Sequence, residues 1–397
     1  MTAAAETRLF LDVDSRQRSK YGQLACGDRI ASSRSPDGKT VVVVLSDGLG
    51  SGIKANILST MTAVMALKFS ESGQEFPKAA ETMMRVLPIC SVRRISYATF
   101  SIAVWSAGRT LKVVEMGNPE MIYLREGKEL EVPTKVYSSK EWENRCIRVS
   151  EIYPKEEDRV VLMSDGISQS GMGTEQHPLG FRRSGCAEYC RELLSEKPGI
   201  SAREMSFSIV DKALSAETNR QPSDDMSCIT LHFRQPRSLE VVTGPPFHED
   251  QDKNWARKVD SFQGTKVICG GTTSKILERE LTRKLSVRML RGRGRQSFPP
   301  AADMEGFALV TEGIITLTRT AQILEEREAP LPEDPASRLA SLLRDHDSIT
   351  FMVGTKVNEA HQDPALPADI ELRRAVIKRL DAVLREKYLK ETNIIYT

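Results

Sequence analysis

Two runs of β-branched and large apolar residues in this sequence end in the same three residues, Ser-Asp-Gly. Thr40–Ser46 leads into Asp47-Gly48, and Arg159–Ser164 leads into Asp165-Gly166. A short apolar run that ends in Asp-Gly predicts a buried strand followed by a turn. Glycine at such a point exposes the aspartate and frees a backbone carbonyl to face a ligand. The sequence therefore predicts sheets that present carboxylates at their strand ends.

Two further motifs add aspartates to this pattern. Cys26-Gly27-Asp28 precedes the first run, and Ser223-Asp224-Asp225-Met226-Ser227 opens a third predicted strand that runs to Phe233. Converging carboxylates repel one another unless a cation lies between them, and Mg²⁺ and Mn²⁺ prefer carboxylate, carbonyl and water oxygens. Any one of these motifs alone is more often an ordinary turn or a solvated pair. The four together, in order and at strand ends, predict a metal site.

Composition sets the class of protein. The chain has 397 residues, and a single core seldom grows past about 250–300 residues, so two domains are expected. A net charge of +2 does not favour a nucleic-acid binder. The N-terminus has no signal-peptide pattern, and the longest apolar run, Val41–Leu45, is too short to cross a membrane. Seven cysteines without a close CxxC pair favour reduced thiols in a cytoplasmic protein.

The spacing of apolar residues predicts further helices and strands in the first half of the chain. Ile57, Met61, Val64, Met65 and Leu67 recur at helical spacing, which predicts a helix over Ile53–Ser70. Further predicted elements are a helix over Pro77–Leu87, strands over Tyr97–Trp105 and Leu111–Met116, a hairpin around Gly127, and a helix from the Ser201–Glu204 capping box to about Asn219.

The second half of the chain is less informative. Proline, glycine and charged residues are concentrated in 236–264, which we interpret as a linker between a first domain, 1–235, and an α/β domain, 265–397, of regulatory role. Thr311-Glu312-Gly313 echoes Ser164-Asp165-Gly166 and suggests a shortened repeat without metal. A helix that begins at Pro367 has an apolar stripe that belongs either to the core or to an interface. A homodimer is therefore one of the alternatives.

The aspartate motifs resemble those of a known family. Gly27-Asp28, the Asp-Gly-x-Gly-x-Gly of 47–52, Met116-Gly117-Asn118-Pro119, Ser164-Asp165-Gly166 and Asp224–Ser227 occur in the order found in the SpoIIE-type subclass of the protein phosphatase 2C (PPM) family of bacterial signalling phosphatases. The resemblance covers about Phe10–Phe233. It implies an α+β fold: an α-β-β-α sandwich with a two-metal Mn²⁺ or Mg²⁺ site, followed here by the smaller α/β domain.

The resemblance also implies roles for single residues. Asp47 would contact both metal ions, and the Gly48 carbonyl would bind one of them. Asp165 and Asp224 would complete one metal site, and Asp28 would be a ligand or an outer-sphere partner at the second. Asp225, a further candidate ligand, stands where larger eukaryotic relatives carry asparagine. Asp47 and Asp165 are accordingly the expected catalytic residues. No histidine adjoins a metal motif, so no general acid is assigned.

These features predict an enzyme that hydrolyses phosphoserine or phosphothreonine on a regulatory protein with a metal-activated water. The substrates that the resemblance implies are small regulators such as STAS-type anti-anti-sigma factors. Two alternatives stay open. A pseudophosphatase would hold a phosphoprotein without turnover, although a pure binder has no need of four metal-competent carboxylates. A phosphatase for a small metabolite is the other.

Overall fold

The computed structural model describes residues 8–72, 76–86, 98–108, 110–138, 146–287, 301–326, 334–356 and 367–397. The chain divides into two compact units, Met1–Gln235 and Pro236–Thr397. No helix within these described ranges is long and apolar enough to span a membrane.

The first unit contains two antiparallel sheets. One has five strands in the order β1, β11, β10, β6, β7, with bounds Phe10–Arg18, Met226–Arg234, Arg159–Met163, Ile122–Arg125 and Lys128–Glu129. The other has six strands in the order β2, β3, β4, β5, β9, β8, with bounds Asp28–Arg34, Thr40–Gly48, Ala98–Ser106, Leu111–Met116, Cys146–Ile152 and Thr134–Ser138. β6 and β7 form the hairpin predicted around Gly127.

The two sheets pack face to face and are covered by helices on both outer sides. Trp105 of β4 meets Phe233 of β11 edge to face, with ring centroids 5.9 Å apart, which joins the inner faces. On β3, Val42 and Val44 pack toward the helical side, while alternate residues face the other sheet. The covering helices are α1 (Ile53–Glu71) and α2 (Phe76–Val86) on the six-stranded sheet, and α4 (Arg182–Glu196) and α5 (Ala202–Ala216) on the other. The predicted α-β-β-α sandwich is confirmed.

Helix α1 buries small residues and exposes large ones. Its buried side chains are Ala55, Ser59, Thr62, Ala63 and Ala66. Small side chains let the helix axis approach the sheet closely. The helix predicted from apolar spacing therefore exists, but several of the large apolar residues that marked it face outward.

The capping box predicted at Ser201 is present at the start of α5. The hydroxyl of Ser201 accepts a hydrogen bond from the Glu204 backbone N–H, and the Glu204 carboxylate accepts one from the Ser201 N–H. The helix ends at Ala216, three residues before the predicted end, and a separate turn of 3₁₀ helix follows over Thr218–Arg220.

The second unit is a mostly parallel sheet with helices on both faces. Its strand order is β14, β15, β16, β13, β12, β17, β18, with bounds Ser286–Val287, Ala302–Met304, Phe307–Thr311, Thr265–Cys269, Ser238–Thr243, Ser348–Val353 and Glu391–Tyr396. One face packs against α6 (Asp252–Asp260) and α7 (Gly271–Leu281). The other packs against α8 (Ile314–Glu326), α9 (Pro335–Asp345) and α10 (Pro367–Tyr388). The predicted α/β class of this half is confirmed.

Two expectations for the second half are wrong. The segment 236–264 is not a linker, because it contains β12, which pairs with β13 and β17 in the middle of the sheet, and helix α6. Gly244, Pro245 and Pro246 lie in the turn after β12, whereas Pro236 precedes that strand and Gly264 precedes β13. The echo at Thr311–Gly313 does not mark a repeat of the first half, since this sheet is largely parallel and the sandwich sheets are antiparallel.

Candidate metal centre

Strand ends from both sheets bring the predicted aspartates together. Asp28, the first residue of β2, is the cross-strand partner of Asp47 near the end of β3. Asp165 opens the short helix α3 (Asp165–Ser168) directly after β10, and Asp224 immediately precedes β11 and its neighbour Asp225. Since β10 and β11 are paired, their ends meet, and the Ser164 N–H donates to the Ser227 carbonyl at 3.0 Å. One end of the sandwich thus gathers all five carboxyl groups.

Asp47 has the most perturbed carboxyl group of the cluster. Loss of water raises its pKa most, and the charges of Asp28, Asp165 and Asp224 raise it further, to about 10. A side-chain hydrogen bond with Asp165 adds to the effect. Such a bond needs a proton on one of the two groups. Asp47 therefore lies where the negative charges of the two sheets converge.

Asp28 is buried without compensation. Its side chain is 2% exposed, and burial raises its pKa to about 7. The hydroxyls of Ser227 and Ser164 are close enough to lower that pKa, but within the described residues neither carboxylate oxygen has a well-formed hydrogen bond. An uncompensated buried carboxylate is costly unless a cation or proton joins it. The burial of Asp28 therefore favours binding of a cation next to its carboxylate.

Asp224 and Asp225 differ in their surroundings. Asp224 is partly exposed, and burial raises its pKa while the charge of Lys20 lowers it. Asp225 is 3% exposed. One of its oxygens accepts the Lys20 backbone N–H at 2.9 Å, and in the described part of the chain the other has no hydrogen-bond partner. One oxygen of Asp225 therefore fixes the loop at Lys20, and the other is available to a ligand.

Two glycines allow the chain to close around this cluster. A Cβ on Gly48 would lie 2.1 Å from the Ala55 carbonyl oxygen of helix α1, and a Cβ on Gly166 would lie 2.1 Å from the Asp225 carbonyl oxygen. Both contacts are with backbone, which cannot swing away as a long side chain can. The Asp-Gly pairs are thus required for close packing as well as for turns.

The donor set fits a hard divalent cation. It offers carboxylates and a strand-end carbonyl, and two of its carboxylates have oxygens without a hydrogen-bond partner among the described residues. Burial and then the charges of the neighbouring aspartates raise the pKa of Asp47. Among the described His, Cys, Asp and Glu residues, no three are already arranged to hold an ion. A bound cation would offset the repulsion that the neighbouring aspartates exert on Asp47.

Several polar groups that support the aspartates have no signal in the sequence motifs. The Gln17 amide donates to the Ser227 hydroxyl at 2.9 Å and to the Asp28 carbonyl at 3.4 Å. The Asn56 amide of helix α1 donates to the Cys26 carbonyl at 2.7 Å. No local pattern marks Gln17 or Asn56, because their partners are distant in sequence. The serines beside Asp165 and Asp225 were visible in the motifs but were not recognised as neighbours of Asp28.

Comparison with known proteins identifies one family. A family model described as stage II sporulation protein E (SpoIIE) matches residues 37–234. A search of curated proteins finds no match.

Solved structures of low sequence identity are similar to the chain. The phosphatase domain of the cell fate determinant SpoIIE from Bacillus subtilis is 18% identical, with a TM-score of 0.44 over 58% of this chain and 95% of that one. The RsbU and RsbW domains of Rv1364c from Mycobacterium tuberculosis are 17% identical, with a TM-score of 0.48 over 63% and 68%. The catalytic domain of the serine/threonine phosphatase PstP, solved with 2 manganese ions, is 14% identical, with a TM-score of 0.39 over 57% and 99%.

The family match spans the strands that carry Asp47, Asp165 and Asp224 and ends with β11, the last strand of the first unit. The first unit of this chain therefore belongs to the SpoIIE family of phosphatases.

Proposed function

We propose that the first unit hydrolyses phosphoserine or phosphothreonine on a regulatory protein, with two Mn²⁺ or Mg²⁺ ions held by the aspartate cluster. The observation that carries the proposal is the convergence of Asp28, Asp165 and Asp224 on Asp47, with uncompensated buried oxygens on Asp28. Among the main influences on the pKa of Asp28, Asp47 and Asp224, the described residues supply one cation, Lys20. The cluster thus has a large deficit of positive charge.

The proposed ligands follow the positions of the strand ends. Asp47 lies among the other carboxylates and is the proposed bridging ligand, with the Gly48 carbonyl beside it. Asp165 and Asp224 are proposed for one ion and Asp28 for the other. Asp225 is the proposed outer-sphere residue, because one of its oxygens already accepts a hydrogen bond from the Lys20 backbone N–H. Asp47 and Asp165 are the proposed catalytic residues.

The protein itself positions the carboxylates and supplies their negative charge at the site. Bound divalent ions would lower the pKa of a water and neutralise charge on the phosphoryl oxygens. The Asp28–Asp47 cross-strand pair fixes two carboxylates on neighbouring strands, and the Asn56 amide anchors helix α1 beside them. Carboxylates held on paired strands keep the positions of the reacting groups, on which such catalysis depends.

The proposed substrate is a phosphorylated regulatory protein, and the family membership favours a STAS-type anti-anti-sigma factor. The test measures kcat/KM with Mn²⁺ for three probes: a serine-phosphorylated STAS-type protein, an aryl phosphate and a set of small phosphorylated metabolites. We expect turnover of the aryl phosphate and a kcat/KM for the phosphoprotein at least about 10²-fold above every metabolite. A preference for a metabolite would favour the small-molecule alternative. Tight phosphoprotein binding with no turnover of any probe would favour a pseudophosphatase.

A further inference from the structure

Helix α1 carries a row of exposed large apolar side chains. Ile53 is 68% exposed, Ile57 53%, Met61 38% and Val64 47%. Their spacing of four, four and three residues places them on one face of the helix. The opposite face is the small-residue face that packs on the sheet. Single exposed apolar residues are ordinary, but a continuous row of four marks a surface that contacts something.

A second segment extends this row toward the aspartates. Tyr21 is 64% exposed, and Leu24 is exposed as fully as in an extended chain. The loop that carries them is fixed at the metal centre, since the Lys20 N–H donates to Asp225 at 2.9 Å. The Tyr21 N–H also donates to the Pro222 carbonyl at 2.9 Å. These contacts hold the backbone of Lys20 and Tyr21 beside the strand end that carries Asp224 and Asp225, and Leu24 follows three residues later.

The two segments meet at the start of helix α1. The Gln23 side-chain oxygen lies 2.6 Å from where a Cβ on Gly52 would be, so the loop touches the residue before the helix. We call the combined surface the apolar rim, and it consists of Tyr21, Leu24, Ile53, Ile57, Met61 and Val64. The rim begins next to the aspartate cluster and follows the helix away from it. From Ile53 to Val64 it is about 16 Å long, at 1.5 Å per helical residue.

The rim lacks acidic residues. No Asp or Glu occurs in Ser15–Gly27 or in Leu49–Ser70, whereas Lys20 and Lys54 lie within these segments. A phosphorylated protein is negatively charged at its phosphoserine, so nothing in these segments repels it. An apolar surface with scattered cations suits a partner that has apolar residues around an anionic group.

We propose that the apolar rim binds the phosphoprotein substrate through apolar residues flanking its phosphoserine. This inference rests on the proposed function and adds the chemistry of the substrate. A phosphoserine held at the aspartates brings the adjoining polypeptide against the surfaces that border them, and the rim is one of these surfaces. A length of 16 Å corresponds to about five residues of extended chain. Apolar side chains up to about five positions from the phosphoserine therefore contribute to recognition.

The test uses two phosphoserine peptides of the same length and charge, one with leucines at the flanking positions and one with serines. With the full chain and saturating Mn²⁺, we expect kcat/KM to be about tenfold higher for the leucine peptide, mainly through a lower KM. In Leu24→Ser/Ile57→Ser this ratio should fall to within about twofold. Both replaced side chains are exposed, so the fold does not depend on them.

A matched control is Val136→Ser. Val136 is 63% exposed on β8, the edge strand opposite β2 in the six-stranded sheet, so the control removes an exposed apolar side chain far from Asp28. It should keep the tenfold ratio. Equal kcat/KM for the two peptides in the wild type would overturn the rim proposal while leaving the phosphatase proposal intact. Failure to hydrolyse either peptide, or an aryl phosphate, would instead overturn the proposed function.

Two further results would contradict the rim proposal. If Leu24→Ser/Ile57→Ser lowered kcat/KM equally for both peptides, the unchanged ratio would show that the two side chains have only a structural role. Analytical ultracentrifugation tests whether the rim binds a second copy of the chain instead. A wild-type dimer that becomes monomeric in Leu24→Ser/Ile57→Ser with an unchanged peptide ratio would assign the rim to self-association.

Discussion

Asp47→Asn is expected to lower kcat/KM for an aryl phosphate by on the order of 10³-fold at saturating Mn²⁺, since metal stabilisation of the reacting phosphoryl group is worth several kcal/mol. Asp47 lies where the charges of Asp28, Asp165 and Asp224 converge, so an amide there weakens both proposed metal sites at once. Asparagine has nearly the same shape as aspartate, and circular dichroism should show an unchanged fold.

Asp225→Asn is the matched comparison for Asp47→Asn. The amide oxygen of asparagine can still accept the Lys20 backbone N–H that Asp225 now accepts at 2.9 Å. We expect a loss of about tenfold, typical of a group that supports metal ligands. Steady-state kinetics on the two variants, with Mn²⁺ titrated for each, measures the difference. Equal losses would contradict the assignment of Asp47 as the bridging ligand.

Gly48→Ala is expected to disturb both stability and activity. The new methyl group would lie 2.1 Å from the Ala55 carbonyl oxygen, so helix α1 or the end of β3 must move. Overpacking of this kind costs about 1–3 kcal/mol in the free energy of unfolding. Displacement of a reacting group by about 1 Å costs on the order of 10²-fold in rate. Urea denaturation and aryl phosphate kinetics measure the two effects.

Gly199→Ala is the control for the glycine prediction. A Cβ at Gly199 meets no atom within 4 Å, and its backbone does not require glycine. Its stability should stay within about 0.5 kcal/mol of the wild type, with unchanged activity. If Gly48→Ala behaved like Gly199→Ala, the close approach between strand and helix would not position the metal ligands.

The sequence was most informative where a local pattern has one physical meaning. A β-branched run that ends in Asp-Gly implies a buried strand with a carboxylate at its end, and the structure places Asp47 and Asp165 at such ends. The Ser201 capping box marked a helix start for the same reason. The order of the motifs then identified the family, because few folds need those aspartates in that order.

Local sequence patterns did not reveal features that depend on residues distant in the sequence. Strand β12 was taken for part of a linker, because its apolar residues lie near Pro236 and Gly244 and only pairing with β13 and β17 shows that it is central. The outward face of α1 was not foreseen, since large apolar residues at helical spacing usually mark the buried side. Here the close approach to Gly48 admits only small side chains on that side.

The aspartate cluster as a two-metal centre for phosphate hydrolysis is tested most directly by counting bound ions. Equilibrium dialysis of the full chain against Mn²⁺, with phosphate release from a phosphoserine peptide measured on the same samples, gives occupancy and turnover together. We predict two Mn²⁺ per chain, turnover that rises with occupancy, and loss of both in chelator. Full turnover in chelator with no bound Mn²⁺ would contradict the account.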